Sequence, residues 1–206
     1  MFPRGVISPG TLDLLRQLQS EPSCREFCLA GGTALALQLG HRFSEDLDLF
    51  SDSAFDPTVL LATIRRHHHA VSVEKLAPGT LLARVDDVKV DLLEYRYPRL
   101  APTKIVDSIR MFDLSDIAAM KLSAVTNRGA RKDFIDIAFL IQKFGLPALL
   151  GWYRDKFAGF SLFPVIKSLA YFDDAEDDPA PLMLLPMTWD AVKQVVTKAV
   201  AEMGES

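Results

Sequence analysis

The sequence predicts an α+β fold, a small mixed β-sheet flanked by helices and followed by a helical C-terminal half. Two patterns carry this prediction. Between residues 27 and 95, short apolar runs with strand character alternate with turn signals and two helical stretches; from residue 113 onward every periodic segment is helical. A third observation bounds the size. The 206 residues are 49% hydrophobic and 24% charged, an ordinary globular composition that suffices for one sizeable domain or two small ones.

The elements follow in order. Residues 9–20 form a helix with Leu12, Leu15 and Leu18 on one stripe. Phe27 to Ala30 is a short strand that runs into Gly31-Gly32. Thr33 to Leu39 is a short apolar helix closed by Gly40, the residue favoured just past a helix end. Leu47 to Phe50 is a strand, and Pro57 to His68 is a helix with proline in its first turn. Three strands follow, Val71 to Leu76, Leu81 to Val85 and Val88 to Tyr95, with Pro78-Gly79 and Asp86-Asp87 as the turns. Pro98 to Pro102 is a joint, which divides the chain into residues 1–100 and a helical part, 101–206. Asp173 to Pro181 is an acidic, proline-containing loop.

The net charge of −4 argues against non-specific coating of nucleic acid. No signal-peptide pattern follows Met1 and no apolar run has bilayer length, so a cytoplasmic protein is expected. Cys24 and Cys28 are read as reduced thiols, since one CxxxC without partners is weak evidence for a metal site. The run His67-His68-His69 is read as structural, because consecutive helical residues point about 100° apart and cannot all chelate one ion. The aromatic set Trp152, Tyr153, Phe157, Phe160 and Phe163 is read as helical core.

The chemistry lies in the acids. In "SEDLDLF" the strand alternation sends Leu47 and Leu49 to the core and Asp46 and Asp48 to the opposite face. Two carboxylates so placed repel unless a cation lies between them, and a hard divalent ion is the natural remedy. A solvated strand end would account for an isolated pair equally well. A second segment weighs against that. In "VKVDLLEY", Asp91 interrupts an apolar run between Val90 and Leu92. If the two strands are neighbours, Asp46, Asp48 and Asp91 make one metal site. The strand entering Gly31-Gly32-Thr33 and then a helix lets backbone N–H groups approach a phosphate, although a tight turn capped by Thr33 would look the same.

Taken together, the Gly-Gly-Thr, the short helix and "HRFSEDLDLF" resemble the first motif of the DNA-polymerase-β-like nucleotidyltransferases, and in particular the AbiEii/AbiGii toxin-type branch. Arg42, Ser44, Asp46 and Asp48 match that motif position by position, and "DIAAMKLSA" and "RKDFIDIAFL" resemble the later motifs. The likeness covers residues 27 to 144; the last sixty or so residues carry no recognisable motif. The resemblance implies Mg²⁺ or Mn²⁺ held by Asp46, Asp48 and Asp91. It implies a nucleotide pocket from Gly31, Gly32, Thr33, Arg42 and Ser44. An NTP, with GTP as a candidate, would be the substrate, and a separately encoded antitoxin and an RNA or tRNA acceptor would be the partners.

Two further residues are expected from the helical half. Lys121 projects roughly 160° from the polar cluster of Asp116, Ser123, Thr126 and Asn127, among Ile117, Ala118, Ala124 and Val125. It is either a snorkelling surface lysine or the third-motif lysine that binds the triphosphate. In the next helix Asp136 is read as a surface partner of Lys132. Asp133 falls nearer the apolar side and matches the fourth-motif acid, as a general base or as the group that orients Lys121. Arg128, Arg131 and Lys132 crowd the same region, as phosphate ligands or as a solvated face.

The function expected is metal-dependent transfer of a nucleoside monophosphate from an NTP to an acceptor hydroxyl, as a toxin of a toxin–antitoxin pair acting on RNA. The alternatives are an antibiotic-type transferase acting on a small molecule and a nucleotide-binding or interaction module with little turnover.

Overall fold

The computed structural model describes residues 2–204, and the chain divides into two compact units. The first comprises residues 1–97 and 102–112; the second comprises residues 98–101 and 113–206. The division therefore falls at residue 112 rather than 100.

The first unit is built on a seven-stranded mixed sheet. Its strands are β1 (Cys28–Leu29), β2 (Leu47–Ser51), β3 (Val71–Ala77), β4 (Thr80–Val85), β5 (Val88–Glu94), β6 (Lys104–Val106) and β7 (Ile109–Met111), in the order β3-β4-β5-β2-β1-β7-β6. β2 runs parallel to β5 and β1 parallel to β7; the other neighbours are antiparallel. The last two strands were not expected. They are three residues each, too short for an alternation to show. Asp107 and Ser108 join them with positive φ (47° and 66°), and Asp86 and Asp87 (48° and 69°) turn β4 into β5 in the same way. Aspartate tolerates that left-handed region better than most residues, and a right-twisted hairpin requires it.

Three helices belong to this sheet. α1 (Pro9–Ser20) is capped by Ser8 and buries Leu14, Leu15 and Leu18. α2 (Gly31–Leu39) starts two residues earlier than the sequence suggests and ends at Gly40, whose φ of +69° is the left-handed stop. α3 (Pro57–His67) is capped by the Asp56 carboxylate.

The second unit is helical: α4 (Leu114–Asn127), α5 (Arg131–Phe144), α6 (Leu146–Lys156), α7 (Leu162–Leu169), the single turn α8 (Asp173–Glu176) and α9 (Trp189–Met203). Asp113 caps α4 as expected. Tyr153 and Phe157 are buried, whereas Phe160 and Phe163, expected in the core, are exposed. Among the described residues no single helix is long and apolar enough to cross a membrane.

Candidate active site

The centre of the first unit brings two of the expected acids together. In the β2–β5 register Leu47 lies beside Val90, Asp48 beside Asp91 and Leu49 beside Leu92. The leucines and Val90 are fully buried, so the alternation turns the two aspartates together to the opposite face. Asp46 lies just before β2, exposed, rather than on the strand. Its carbonyl accepts a hydrogen bond from the Thr33 hydroxyl, which ties the loop before β2 to α2.

Each of the two glycines is fixed by a neighbouring side chain. Gly31 has φ +63°, and a Cβ built on it would overlap the Asp48 carboxylate. A Cβ on Gly32 would overlap the Arg42 guanidinium, with Ser44 Oγ beyond it at 3.5 Å. The backbone is anchored from Ala30 N to Asp48 O, 2.8 Å. Thr33 does not cap α2; its hydroxyl pairs with Ser44 Oγ at 2.8 Å, and the N-cap residue, Ala30, makes no side-chain cap hydrogen bond. A helix start of two glycines favours an anion that arrives with its own cation. Arg42 is only 3% exposed, and one of its nitrogens donates to Phe43 O at 3.1 Å. It buttresses the glycine loop from below.

Lys89 was not anticipated. It lies two residues before Asp91 in β5, and its Nζ donates to Asp91 Oδ2 at 2.9 Å. That hydrogen bond raises the Lys89 pKa, burial opposes the shift, and the negative charges of Asp91, Asp48 and Asp46 add to it. The strand alternation in "VKVDLL" puts Lys89 and Asp91 on one face, so the signal was present in the sequence. The second oxygen, Asp91 Oδ1, is buried without a hydrogen-bond partner, which is costly unless something binds there.

These donors fit a divalent cation in part. Two carboxylates in register and one unsatisfied buried oxygen suit a hard ion, with Asp46 at the mouth. Among the described residues no three His, Cys, Asp or Glu side chains form one metal-holding group.

A groove of about 560 Å³ opens beside Asp46 and Lys89, between α1 and the β4–β5 turn. Asp13, Glu45, Asp46, Asp86 and Asp87 line it against Arg84 and Lys89. His68, buried, also reaches it, with Nδ1 2.5 Å from Asp86 Oδ2.

In the helical unit Lys121 is 4% exposed and fully engaged: Nζ lies 2.9 Å from Asp133 Oδ1 and 2.6 Å from Asp136 Oδ2. It does not snorkel. Asp136 is completely buried and pairs with Lys121, so its reading as a surface residue is corrected: spacing alone does not show the tertiary ion pair. Arg128 adds a bidentate contact to Asp133, 2.7 and 2.9 Å. Burial pushes the Asp133 carboxyl up, but hydrogen bonds from Arg128 and Lys121 and the charges of both outweigh it and hold the group below the usual carboxylate range. Asp133 thus pairs with Lys121 on one side and Arg128 on the other.

Arg131 also departs from a phosphate role, since its guanidinium is bonded to the carbonyls of Ala175 and Glu176 and stacks on Trp189. Asp116, placed by periodicity on the polar side of α4, is instead buried. It accepts from Lys156 Nζ at 2.6 Å and from the Leu100 and Ala101 N–H groups. Asp116 and Lys156 are forty residues apart, and no local pattern announces such a pair.

The comparisons with known proteins show the family and the fold. The model of the nucleotidyl transferase AbiEii toxin family, type IV toxin–antitoxin system, matches residues 13–194. An uncharacterized protein of Aquifex aeolicus is 32% identical over 200 residues, spanning 94% of this chain and 96% of its own. JHP933 from Helicobacter pylori has a similar fold, with a TM-score of 0.60 at 18% identity over 97% of this chain and 94% of that one. So does the nucleotidyltransferase toxin MenT4 from Mycobacterium tuberculosis, at 0.61 and 16% over 96% and 82%. With most of its length matched, including the glycine loop and both strands of the acidic pair, this chain belongs to the AbiEii nucleotidyltransferase toxin family.

Proposed function

We propose that the protein transfers a nucleoside monophosphate from an NTP to an acceptor hydroxyl, with release of pyrophosphate. The observation that carries this reading is the register of Asp48 beside Asp91, with the glycine loop packed on the Asp48 carboxylate. Asp48 and Asp91, with Asp46 at their edge, would hold Mg²⁺ or Mn²⁺. Such an ion would neutralise phosphate oxygens and lower the barrier to in-line displacement at the α-phosphorus. The N–H groups at Gly31 and Gly32 donate to the phosphates at the start of α2, whose dipole favours negative charge. Thr33 and Ser44 hold the loop in position and Arg42 supports it from behind. Lys121 is the lysine that the family motif implies, and within the helical unit Asp133 and Asp136 hold it.

Membership in a type IV toxin family makes an antitoxin the implied partner, and an RNA acceptor is the leading reading of the toxin's target. The groove beside Asp46 favours a second reading. Its lining is more acidic than basic, which suits an aminated or neutral polyhydroxyl acceptor better than a polyanion.

The test is incubation with each α-labelled NTP, Mg²⁺ and either total RNA or aminated sugars, for the wild type and Asp48→Ala. Label is expected in one acceptor class and should fall by about a hundredfold or more in the variant. Equal labelling by both proteins would remove Asp48 from the mechanism.

A further inference from the structure

We propose that Lys89 is a resident counter-ion of the carboxylate site, holding Asp91 when no metal is bound and ceding it to a divalent cation. The inference rests on the nucleotidyltransferase reading and deepens it by naming how this chain's own charge regulates entry to the site.

Asp48 and Asp91 are neighbours across two strands, on one face, and like charges so placed destabilise a sheet. Lys89 offsets this. Its ammonium bonds Asp91 Oδ2 at 2.9 Å and also feels the charges of Asp48 and Asp46. The remaining oxygen, Asp91 Oδ1, is buried and has no hydrogen-bond partner. Lys89 thus satisfies half of a carboxylate whose other half awaits a ligand.

A divalent cation at this carboxylate competes for the same negative charge, and its two positive charges repel an ammonium at hydrogen-bond distance. Lys89 is free to yield, because its side chain is 38% exposed on a flexible four-carbon stem. It also lines the groove, so it has room to move while staying in the site. There its charge would face the incoming acceptor. A purely structural lysine would be enclosed, as Lys156 is at 1% exposure.

The experiment is a Mn²⁺ titration of the full chain followed by electron paramagnetic resonance, without nucleotide, on wild type, Lys89→Met, Lys89→Gln and Lys89→Arg. Both neutral variants are expected to bind Mn²⁺ about fivefold more tightly, the factor lost with a modest ion pair. Lys89→Arg should stay near the wild type. In thermal melts, Lys89→Met should lose stability without metal and regain it with Mn²⁺. Unchanged or weaker Mn²⁺ binding in both neutral variants would overturn the competition while leaving the metal site standing. Absence of Mn²⁺ binding in the wild type and every variant would overturn the metal reading and the inference with it.

Discussion

At the scale of single residues, the informative feature is charge in apolar surroundings. Asp48, Asp91 and Lys121 each stand out in the sequence because strand or helix periodicity assigns them a neighbourhood that does not suit them. The structure gives two answers. Asp48 and Asp91 share one face of the sheet, and Lys121 is enclosed by Asp133 and Asp136. For Asp133 a pH dependence follows. Its carboxyl is held below its ordinary value of 3.8, so the stability it confers is present above about pH 4 and is lost as the pH falls through the lowered value. Both tryptophans, Trp152 and Trp189, lie in the helical unit, so their fluorescence in urea reports on it. Asp133→Asn is expected to cost about 3 kcal/mol at pH 7, the lower end for breaking a buried pair because Asp136 remains. It should also flatten the loss of stability below about pH 4. A variant as acid-sensitive as the wild type would show that the ion cluster is not what titrates.

Single elements show where sequence reading succeeds and where it stops. β2, α3 and the β3–β4–β5 meander have long alternations or clear caps, and their limits agree with the sequence to within two residues. β6 and β7 do not, because three residues cannot display a period. Their placement beside β1 depends on pairing with strands far away in the chain. The same limit hid Asp116 and Lys156, whose partnership exists only once α4 and α6 pack. The start of α2 lies between these cases: glycine was legible there, but the reason for it was not. Gly31 is required twice, by a left-handed φ and by the Asp48 carboxylate against its Cα. Gly31→Ala should cost about 1–2 kcal/mol in backbone strain alone. Calorimetry with a non-hydrolysable NTP should show affinity weakened by at least about tenfold, since donors and carboxylate shift together. Gly151→Ala, on α6 with open space where the new Cβ would lie, is the control and should bind as the wild type does. Unimpaired binding by Gly31→Ala would mean that the loop does not meet the phosphates.

For the whole molecule, the fold separates tasks between its units. The sheet unit carries the acids, the glycine loop, Lys89 and the groove. The helical unit is organised around buried ion pairs, Lys121 with Asp133 and Asp136, and Lys156 with Asp116. The sequence nominated the acids, because alternation and family motifs survive in one dimension. It could not show that Asp91 stands beside Asp48, since forty-two residues and three elements, α3, β3 and β4, intervene; only the parallel β2–β5 pairing does so. That pairing is therefore the claim to test. The most direct measurement is transfer of α-labelled nucleotide by Asp91→Asn, a variant that keeps the shape and removes the charge. The expected result is loss of transfer as severe as in Asp48→Ala, with the double variant no worse than either, because residues acting on one ion are not additive. Transfer by Asp91→Asn at the wild-type rate would contradict the account.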